Sequence, residues 1–214
     1  MHGSNLEKGT RLIGNLLSNP QYAPGYLLTN CLKKTPLDIE LPWFSYAAIE
    51  FLEAFLRPQM FVFEYGTGGS TLFFGRKVRT VTSSEDNIAW LDKVKKRVTQ
   101  TGLANVVLQH RQFDANNPVH FESSEYLHSI PEPGFDVIVV DGTEKFFGQK
   151  DAPLVRPACF RHAENFIKPG GIIVVDDSWY YPELRHANRA KECRIFKSVG
   201  PCRLGVTSTD IFFY

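Results

Sequence analysis

The chain has 214 residues, of which 43% are hydrophobic and 22% are charged, as in one ordinary globular domain with at most an extension. Its formal net charge of +1 excludes a strongly cationic nucleic-acid binder, because such affinity rests on neutralising phosphates. Aromatic residues make up 13% of the chain, which is more aromatic surface than a core of this size needs.

We expect neither a targeting signal nor a membrane-spanning segment in this sequence. No apolar run is long enough to cross a bilayer, and polar residues interrupt the first 30 positions, where a signal peptide would need a contiguous apolar stretch. The four cysteines form no CxxC pair, which favours reduced thiols. We expect a cytoplasmic protein without a membrane partner. Residues 1–4 (MHGS) resemble a leader added during cloning.

The predicted elements begin with a helical N-terminal arm over residues 1–44, followed by one domain over residues 45–214. Apolar residues at helical spacing predict the first helix of the domain at 45–57, which Pro58 ends. A second long helix follows the second strand, with Asp86 as its predicted N-cap. The predicted parallel strands are 60–65, 78–83, 106–109, 135–140 and 172–175.

Short apolar strands that alternate with helices are typical of a parallel sheet covered on both faces. The chain ends in two strand-like runs, 193–198 and 207–214, with turn residues and no helix between them, which predicts an antiparallel hairpin. The predicted fold class is therefore α/β, a Rossmann-like, doubly wound, mostly parallel sheet of seven strands that ends in this hairpin.

A glycine-rich turn follows the first strand, in EYGTGGST at residues 64–71. The turn lacks the lysine of a nucleotide triphosphatase loop and has Thr71 where a dinucleotide fingerprint has glycine. Glu64 would repel a pyrophosphate and attract a cation. Glu85, which ends the second strand, is placed to accept hydrogen bonds from ribose hydroxyls. The two acids suit a ligand with a cationic end and a ribose, such as S-adenosylmethionine.

The sequence resembles the class I S-adenosylmethionine-dependent methyltransferases, and among them a bacterial subgroup of largely unassigned small-molecule enzymes. The resemblance rests on the order and spacing of four motifs within residues 45–214, with LPW upstream at 41–43. The motifs are VFEYGTGGST (62–71), SSE (83–85), FDVIVVDG (135–142) and KPGGIIVVDDS (168–178).

The resemblance implies S-adenosylmethionine as the cofactor and roles for the matched positions. Glu64 and the glycines would line its methionine end, and Glu85 would hold the ribose. Asp114 would lie near the adenine amino group, and Asp141 would face the methyl donor and the acceptor. The implied cofactor-binding set is Glu64, Tyr65, Gly66, Thr67, Gly68, Ser70, Thr71, Glu85, Asp114 and Asp141.

Asp141, Asp176 and Asp177 end the fourth and fifth strands, whose carboxyl ends share one rim of a parallel sheet. Three carboxylates there could hold Mg²⁺, similarly to the metal site of catechol-type O-methyltransferases. That subgroup has Asp-Asn where this chain has Asp-Asp, and it has a longer glycine loop, so Mg²⁺ is the minor alternative. The competing interpretation is a helix cap, or ion pairs with Arg156 or Arg161.

A metal-free transfer to a group that carries a proton needs a base. The candidate bases are Lys145, which follows Asp141 on the same rim loop, His186, in the segment after the fifth strand, and His162, whose mid-helix position is more typical of a surface residue. The predicted catalytic set is Asp141, Lys145 and His186. The long connection 143–156 is predicted to form a lid. Aromatic residues at the rim favour a flat or apolar acceptor, although they could equally be hydrophobic cover: Phe146, Phe147, Trp179, Tyr180 and Tyr181.

The predicted function is methyl transfer from S-adenosylmethionine to a small molecule, with an oxygen acceptor slightly favoured over nitrogen. One alternative is an NAD(P)-dependent oxidoreductase, against which Thr71 and Glu64 argue. The other is a non-catalytic cofactor-binding module of the same fold. The loop at 111–134 has no basic character, so no nucleic-acid partner is expected. The sequence leaves a homo-oligomer open.

Overall fold

The structure, a computed structural model, describes residues 5–132, 134–144 and 154–214. Its α-helices are α1 (Asn5–Ser18), α2 (Ala23–Cys31), α3 (Pro36–Ile39), α4 (Tyr46–Phe55), α5 (Gly69–Gly75), α6 (Ile88–Thr101) and α7 (Val155–Ala163). Its strands are β1 (Phe61–Tyr65), β2 (Thr80–Glu85), β3 (Val106–His110), β4 (Phe135–Val140), β5 (Ile167–Val175), β6 (Glu192–Val199) and β7 (Val206–Phe213).

The strands form one seven-stranded sheet in the order β3-β2-β1-β4-β5-β7-β6. Neighbours from β3 to β5 are parallel, and β7 runs antiparallel to both β5 and β6. The predicted Rossmann-like sheet with a C-terminal antiparallel hairpin is therefore confirmed. The order reverses between β1 and β4, which is where a doubly wound sheet opens a ligand crevice.

The central strands are apolar on both faces because each face is covered. Phe63, Ile138 and Ile173 contribute to one core cluster, with α7 and the segment before β4. Val62 and Val137, which point to the opposite face, pack against α4 and α5. Burial on both faces leaves only the strand ends free to carry polar side chains.

The N-terminal arm contains three helices and lies over the sheet and the turn after β1. Thr35 caps α3, with its hydroxyl accepting from the backbone N–H of Asp38. The arm is also joined to the hairpin, since Asn15 accepts a 2.9 Å hydrogen bond from the backbone N–H of Val199. No helix in the described part of the chain is long and apolar enough to span a membrane.

Gly69 is where the arm meets the turn after β1. A Cβ at Gly69 would collide with the backbone oxygens of Pro36 and Leu41, so only glycine allows the arm to approach this closely.

We predict that Gly69→Ala lowers the free energy of unfolding by about 1–3 kcal/mol, because the arm must move to admit the methyl group. Gly14→Ala, in α1, is the matched control, since a Cβ there meets no atom within 4 Å. The control should be neutral or stabilising by about 1 kcal/mol, the helix-propensity gain of alanine. Urea unfolding monitored by circular dichroism measures both, and equal stabilities would refute the close contact.

Candidate active site

A cavity of about 450 Å³ opens at the carboxyl ends of β1, β2, β4 and β5. This volume is in the range of small-molecule and cofactor sites, and the cavity lies at the β1/β4 reversal of strand order. Its walls are the turn after β1, the ends of β2, β4 and β5, and the N-terminal arm. The lining residues are Thr35, Pro36, Trp43, Gly66, Thr67, Gly68, Gly69, Ser70, Glu85, Asp86, Trp90, Asp141, Gly142, Thr143, Glu144, Arg156, Asp176 and Asp177.

The turn after β1 approaches the loop after β4 backbone to backbone. Gly66 has φ +97°, and a Cβ there would lie 2.9 Å from the Cα of Gly142. The backbone N–H of Gly68 donates to Thr71 Oγ1 at 3.0 Å. Thr71 therefore stabilises the turn from behind and is not a lining residue. The turn presents backbone to the cavity, which lets a ligand approach closely.

Glu85 is held in place at the end of β2. Its Oε2 accepts from the backbone N–H (3.1 Å) and the hydroxyl (2.9 Å) of Thr67, and its Oε1 accepts from the backbone N–H of Asn87 (3.0 Å). Burial raises the pKa of Glu85, and the bonds from Asn87 and Thr67 partly offset this. The fixed carboxylate lines the cavity, as a ribose ligand requires.

Asp86 was predicted to cap α6, and this prediction is wrong. Asn87 is the cap, because its side chain accepts from the backbone N–H of Trp90 at 3.0 Å. Asp86 lines the cavity and lies 3.3 Å from the hydroxyl of Thr143. The N-cap of α6 therefore lies one residue further along the chain than predicted, and Asp86 faces the cavity instead.

Besides Thr71, three members of the predicted cofactor set lie behind the cavity or outside it. Glu64 is buried, with Oε2 accepting from the Ser83 hydroxyl at 2.6 Å and with no described partner for Oε1. Tyr65 points to the other face of the sheet and donates to the carbonyl of Leu127 at 2.6 Å. Asp114 is exposed and accepts from the backbone N–H of Asn116. The predicted residues that do line the cavity are Gly66, Thr67, Gly68, Ser70, Glu85 and Asp141.

The rim acids are paired with arginines. Asp141 Oδ1 lies 3.2 Å from Arg156 Nη2, and Arg156 also donates to the carbonyls of Gly142 and Asp176, each at 2.9 Å. Asp176 Oδ2 lies 3.4 Å from Arg203 Nη1. Burial raises the pKa of Asp141 to about 6, against the opposing effect of Arg156, and it raises the pKa of Asp176 well above its ordinary value.

The donor set at this rim does not fit Mg²⁺. Within residues 5–132, 134–144 and 154–214, no group of three or more histidine, cysteine, aspartate or glutamate side chains is arranged to hold a metal ion. Guanidinium groups take the place next to Asp141, Asp176 and Asp177 that a cation would need. Ion pairing, the competing interpretation, fits this rim. One partner is Arg156, as the sequence analysis considered, and the other is Arg203 instead of Arg161.

Of the described base candidates, His186 and His162 are not among the residues that line the cavity. His186 is exposed and follows the short helix Pro182–Arg185. Lys145 lies outside the described residues, as do Phe146, Phe147 and most of the predicted lid. Sequence reasoning missed Trp90, whose indole N–H donates to the carbonyl of Thr67 at 2.8 Å. The position of Trp90 on the apolar face of α6 did not indicate that its indole would bond to the turn after β1.

The predicted aromatic rim is distributed over several environments. Trp43 and Trp90 line the cavity. The indole N–H of Trp179 donates to Asp177 Oδ1 at 3.2 Å, and its ring lies against Tyr180. Tyr181 is buried in the core. Tryptophan therefore supplies the described aromatic lining, while part of the predicted rim is hydrophobic cover.

No family model matches this sequence, and neither does any curated protein. Solved structures do match. A protein from Klebsiella pneumoniae assigned as an O-methyltransferase has a TM-score of 0.60 and 16% identity, over 91% of this chain and 100% of its own. A protein from Streptococcus mutans assigned as a methyltransferase, in complex with S-adenosylhomocysteine, has a TM-score of 0.54 and 11% identity, over 77% and 94%.

A third similar structure is the 16S rRNA N2 G1207 methyltransferase of T. thermophilus in complex with S-adenosylmethionine and guanosine. It has a TM-score of 0.54 and 19% identity, over 78% of this chain and 42% of its own. Structural similarity at such low sequence identity is evidence for the fold alone. The chain has the fold of the class I S-adenosylmethionine-dependent methyltransferases, which confirms the resemblance at that level.

We predict that Glu64→Gln flattens the pH dependence of stability. Burial raises the pKa of Glu64 from 4.5 to about 7, so the native state holds this proton more tightly than the unfolded chain does. Stability is therefore lost as pH rises from about 4.5 through 7, by about 3 kcal/mol for a shift of this size. Glutamine does not titrate. The free energy of unfolding of the variant minus that of the wild type should therefore be larger at pH 8 than at pH 5.

Urea unfolding at the two pH values measures this difference. Glu132→Gln, at an exposed position, is the control and should follow the wild type. A Glu64→Gln curve parallel to that of the wild type would show that Glu64 titrates normally.

Proposed function

We propose that this protein is an S-adenosylmethionine-dependent methyltransferase that acts on a small molecule. One observation carries the proposal: the turn Gly66–Ser70 and the fixed carboxylate of Glu85 line the same cavity, at the switch point of a class I methyltransferase fold. Similar structures with bound S-adenosylmethionine or S-adenosylhomocysteine support the choice of ligand.

The lining residues fit the nucleoside half of this cofactor. Thr67 and Asn87 use three of the four acceptor sites of the Glu85 carboxylate, so Oε1 keeps one lone pair with which to accept from a ribose hydroxyl. The Trp90 ring lies 3.9 Å from the position of a Cβ at Gly68 and offers an apolar face. Asp86 lies beside Glu85 in the lining. It replaces the exposed Asp114 as the acid available to the adenine base of the cofactor.

The charge of the cavity also fits this cofactor, which carries an ammonium and a sulfonium group. The described lining contains six carboxyl groups and one guanidinium, with Arg203 contacting the rim as the second. Such a site attracts cations. When bound, the cofactor supplies an activated methyl group, so the protein's main task is to position the acceptor. Glu64, behind the turn, supports it through Ser83 without reaching the cavity.

A small-molecule acceptor fits this cavity better than a nucleic acid does. An excess of carboxyl groups repels a phosphodiester backbone, although one similar structure is an rRNA methyltransferase. The sequence analysis slightly favoured oxygen over nitrogen as the accepting atom. The excess of carboxyl groups in the lining favours nitrogen instead, because it opposes the anion that an oxygen acceptor forms.

Thermal unfolding with S-adenosylhomocysteine or NAD tests the proposal. A ligand at 100 times its dissociation constant stabilises the native state by about 2.7 kcal/mol, which raises the melting temperature by several degrees. We expect this with S-adenosylhomocysteine and not with NAD. Stabilisation by NAD alone would favour an oxidoreductase. Binding of the methyl donor without transfer to any member of a broad acceptor panel would favour a non-catalytic module.

We predict that Glu85→Gln weakens S-adenosylhomocysteine binding by about 1–3 kcal/mol, because a charged acceptor of ribose hydrogen bonds becomes a partly donating amide. Asp114→Asn should leave the dissociation constant unchanged, since Asp114 is exposed and outside the cavity lining. Calorimetric titration measures both variants. Equal affinities for wild type and Glu85→Gln would contradict the ribose contact, and weakened binding by Asp114→Asn would restore the role first expected for it.

A further inference from the structure

Asp177 has an unusual backbone conformation for a residue of its type. It follows β5 with φ 48° and ψ 34°, in the left-handed region, and its side chain lines the cavity. A non-glycine residue in this region stores backbone strain and persists only where its surroundings fix it. Aspartate and asparagine tolerate this region better than most residues do, so the role of Asp177 is argued from the bonds of its side chain.

Three donors converge on one oxygen of this carboxylate. Asp177 Oδ1 accepts from Arg203 Nη2 at 2.7 Å, from the Thr207 hydroxyl at 3.0 Å and from the indole N–H of Trp179 at 3.2 Å. No donor to Oδ2 is found among residues 5–132, 134–144 and 154–214. The side chain is 14% exposed, so its orientation is fixed while Oδ2 stays available to a ligand in the cavity.

Arg203 is itself fixed by the N-terminal arm. Its Nη1 donates to the carbonyl of Trp43 at 2.9 Å, and its guanidinium lies 5.2 Å from the centre of the Trp43 ring. Its side chain is 17% exposed. Arg203 comes from the turn between β6 and β7, so Asp177 is oriented by groups from both the hairpin and the arm.

A second cavity, of about 420 Å³, lies next to this residue. Trp179, which bonds to Asp177, also lines the second cavity together with Leu12, Leu204 and Val206. Lys8 and Arg11 of α1 complete its border. Asp177 thus lines the first cavity, and its hydrogen-bond partner Trp179 lines the second, which is largely apolar and large enough for a small organic molecule.

We infer that Asp177 is the acceptor-binding residue of the proposed reaction and that the acceptor is a small amine with an apolar body. The inference rests on the proposed function. The amine would donate an N–H to Asp177 Oδ2, with its apolar body against Trp179. Carboxylates favour such a contact, and the six carboxyl groups of the lining repel an anionic acceptor.

An amine also suits the chemistry of this site. An alcohol or phenol must lose its proton to become a good nucleophile, and neighbouring carboxylates oppose the anion that results. An alkylamine reaches the site as its ammonium form and first gives one proton to water; the neutral amine then attacks with its lone pair. The nitrogen bonds to the methyl carbon, the carbon–sulfur bond breaks, and its electron pair stays on sulfur to give S-adenosylhomocysteine. The methylated ammonium then releases one proton to water.

The test compares acceptors of one skeleton in a methyl-transfer assay that measures S-adenosylhomocysteine formation. The panel contains benzylamine, phenethylamine and linear alkylamines, each with the alcohol and the carboxylate of the same carbon frame, and phenols. We expect transfer to amines. Transfer only to alcohols, phenols or acids, or no transfer to any amine by protein that binds S-adenosylhomocysteine, would overturn the inference and leave cofactor binding intact. Failure to bind S-adenosylhomocysteine would instead overturn the proposed function.

Asp177→Asn tests the residue itself. Asparagine tolerates the left-handed conformation and can keep its oxygen on Arg203, Thr207 and Trp179, but it places a donor where Oδ2 was. We expect KM for the amine to rise at least 10-fold while the dissociation constant of S-adenosylhomocysteine changes less than twofold. Asp92→Asn, at an exposed position of α6, is the control and should change neither value. An unchanged KM for Asp177→Asn would overturn the assignment.

Trp179→Phe is the milder second variant, for use if Asp177→Asn does not fold. It keeps an aromatic wall and removes only the indole donor to Oδ1. We expect KM for the amine to rise about 3-fold or more, with S-adenosylhomocysteine binding retained, because one of the three bonds that orient the carboxylate is lost. A KM equal to that of the wild type would contradict the role of this hydrogen bond.

Discussion

The backbone contact between Gly66 and Gly142 is the constraint on which the rest of the site depends. The sheet reverses its strand order between β1 and β4, and the loops that leave these strands meet at the two glycines. A side chain at Gly66 would strike the Gly142 backbone, and one at Gly142 would strike the hydroxyl of Tyr126. Since neither glycine carries a Cβ, the two loops touch at the floor of the cavity and their polar groups become its walls.

Buried carboxyl groups shape what this cavity can bind. The carboxyl ends of the parallel strands lie at one rim of the sheet, so Asp141, Asp176 and Asp177 are close together although their charges repel each other. Arg156 and Arg203 offset most of that repulsion, and burial still raises the pKa of Asp141 and Asp176. The cavity therefore keeps an excess of negative charge. A cationic cofactor and, on our inference, an amine acceptor would reduce this excess on binding.

Local patterns in the sequence predicted the features that depend on neighbours in the chain. Alternating apolar strands and helices predicted the sheet, and the glycine turn and Glu85 line the cavity. Features that depend on distant segments were missed. Arg203 reaches Asp177 from 26 positions further along the chain, and the side of β1 on which Glu64 lies depends on strand register. The arginines that pair with the rim acids likewise come from other segments of the chain, so the fit of these acids to Mg²⁺ could not be judged from the sequence.

The ends of the described chain are joined across the sheet, by Asn15 to Val199, by Ser45 to Thr209 and by Trp43 to Arg203. These links have a consequence for synthesis on the ribosome. The strands beside the glycine turn emerge before Arg203, Thr207 and β7, and the arm has no hairpin to bind until these residues have been made. A nascent chain can therefore form much of the parallel sheet while the rim around Asp177 is still incomplete.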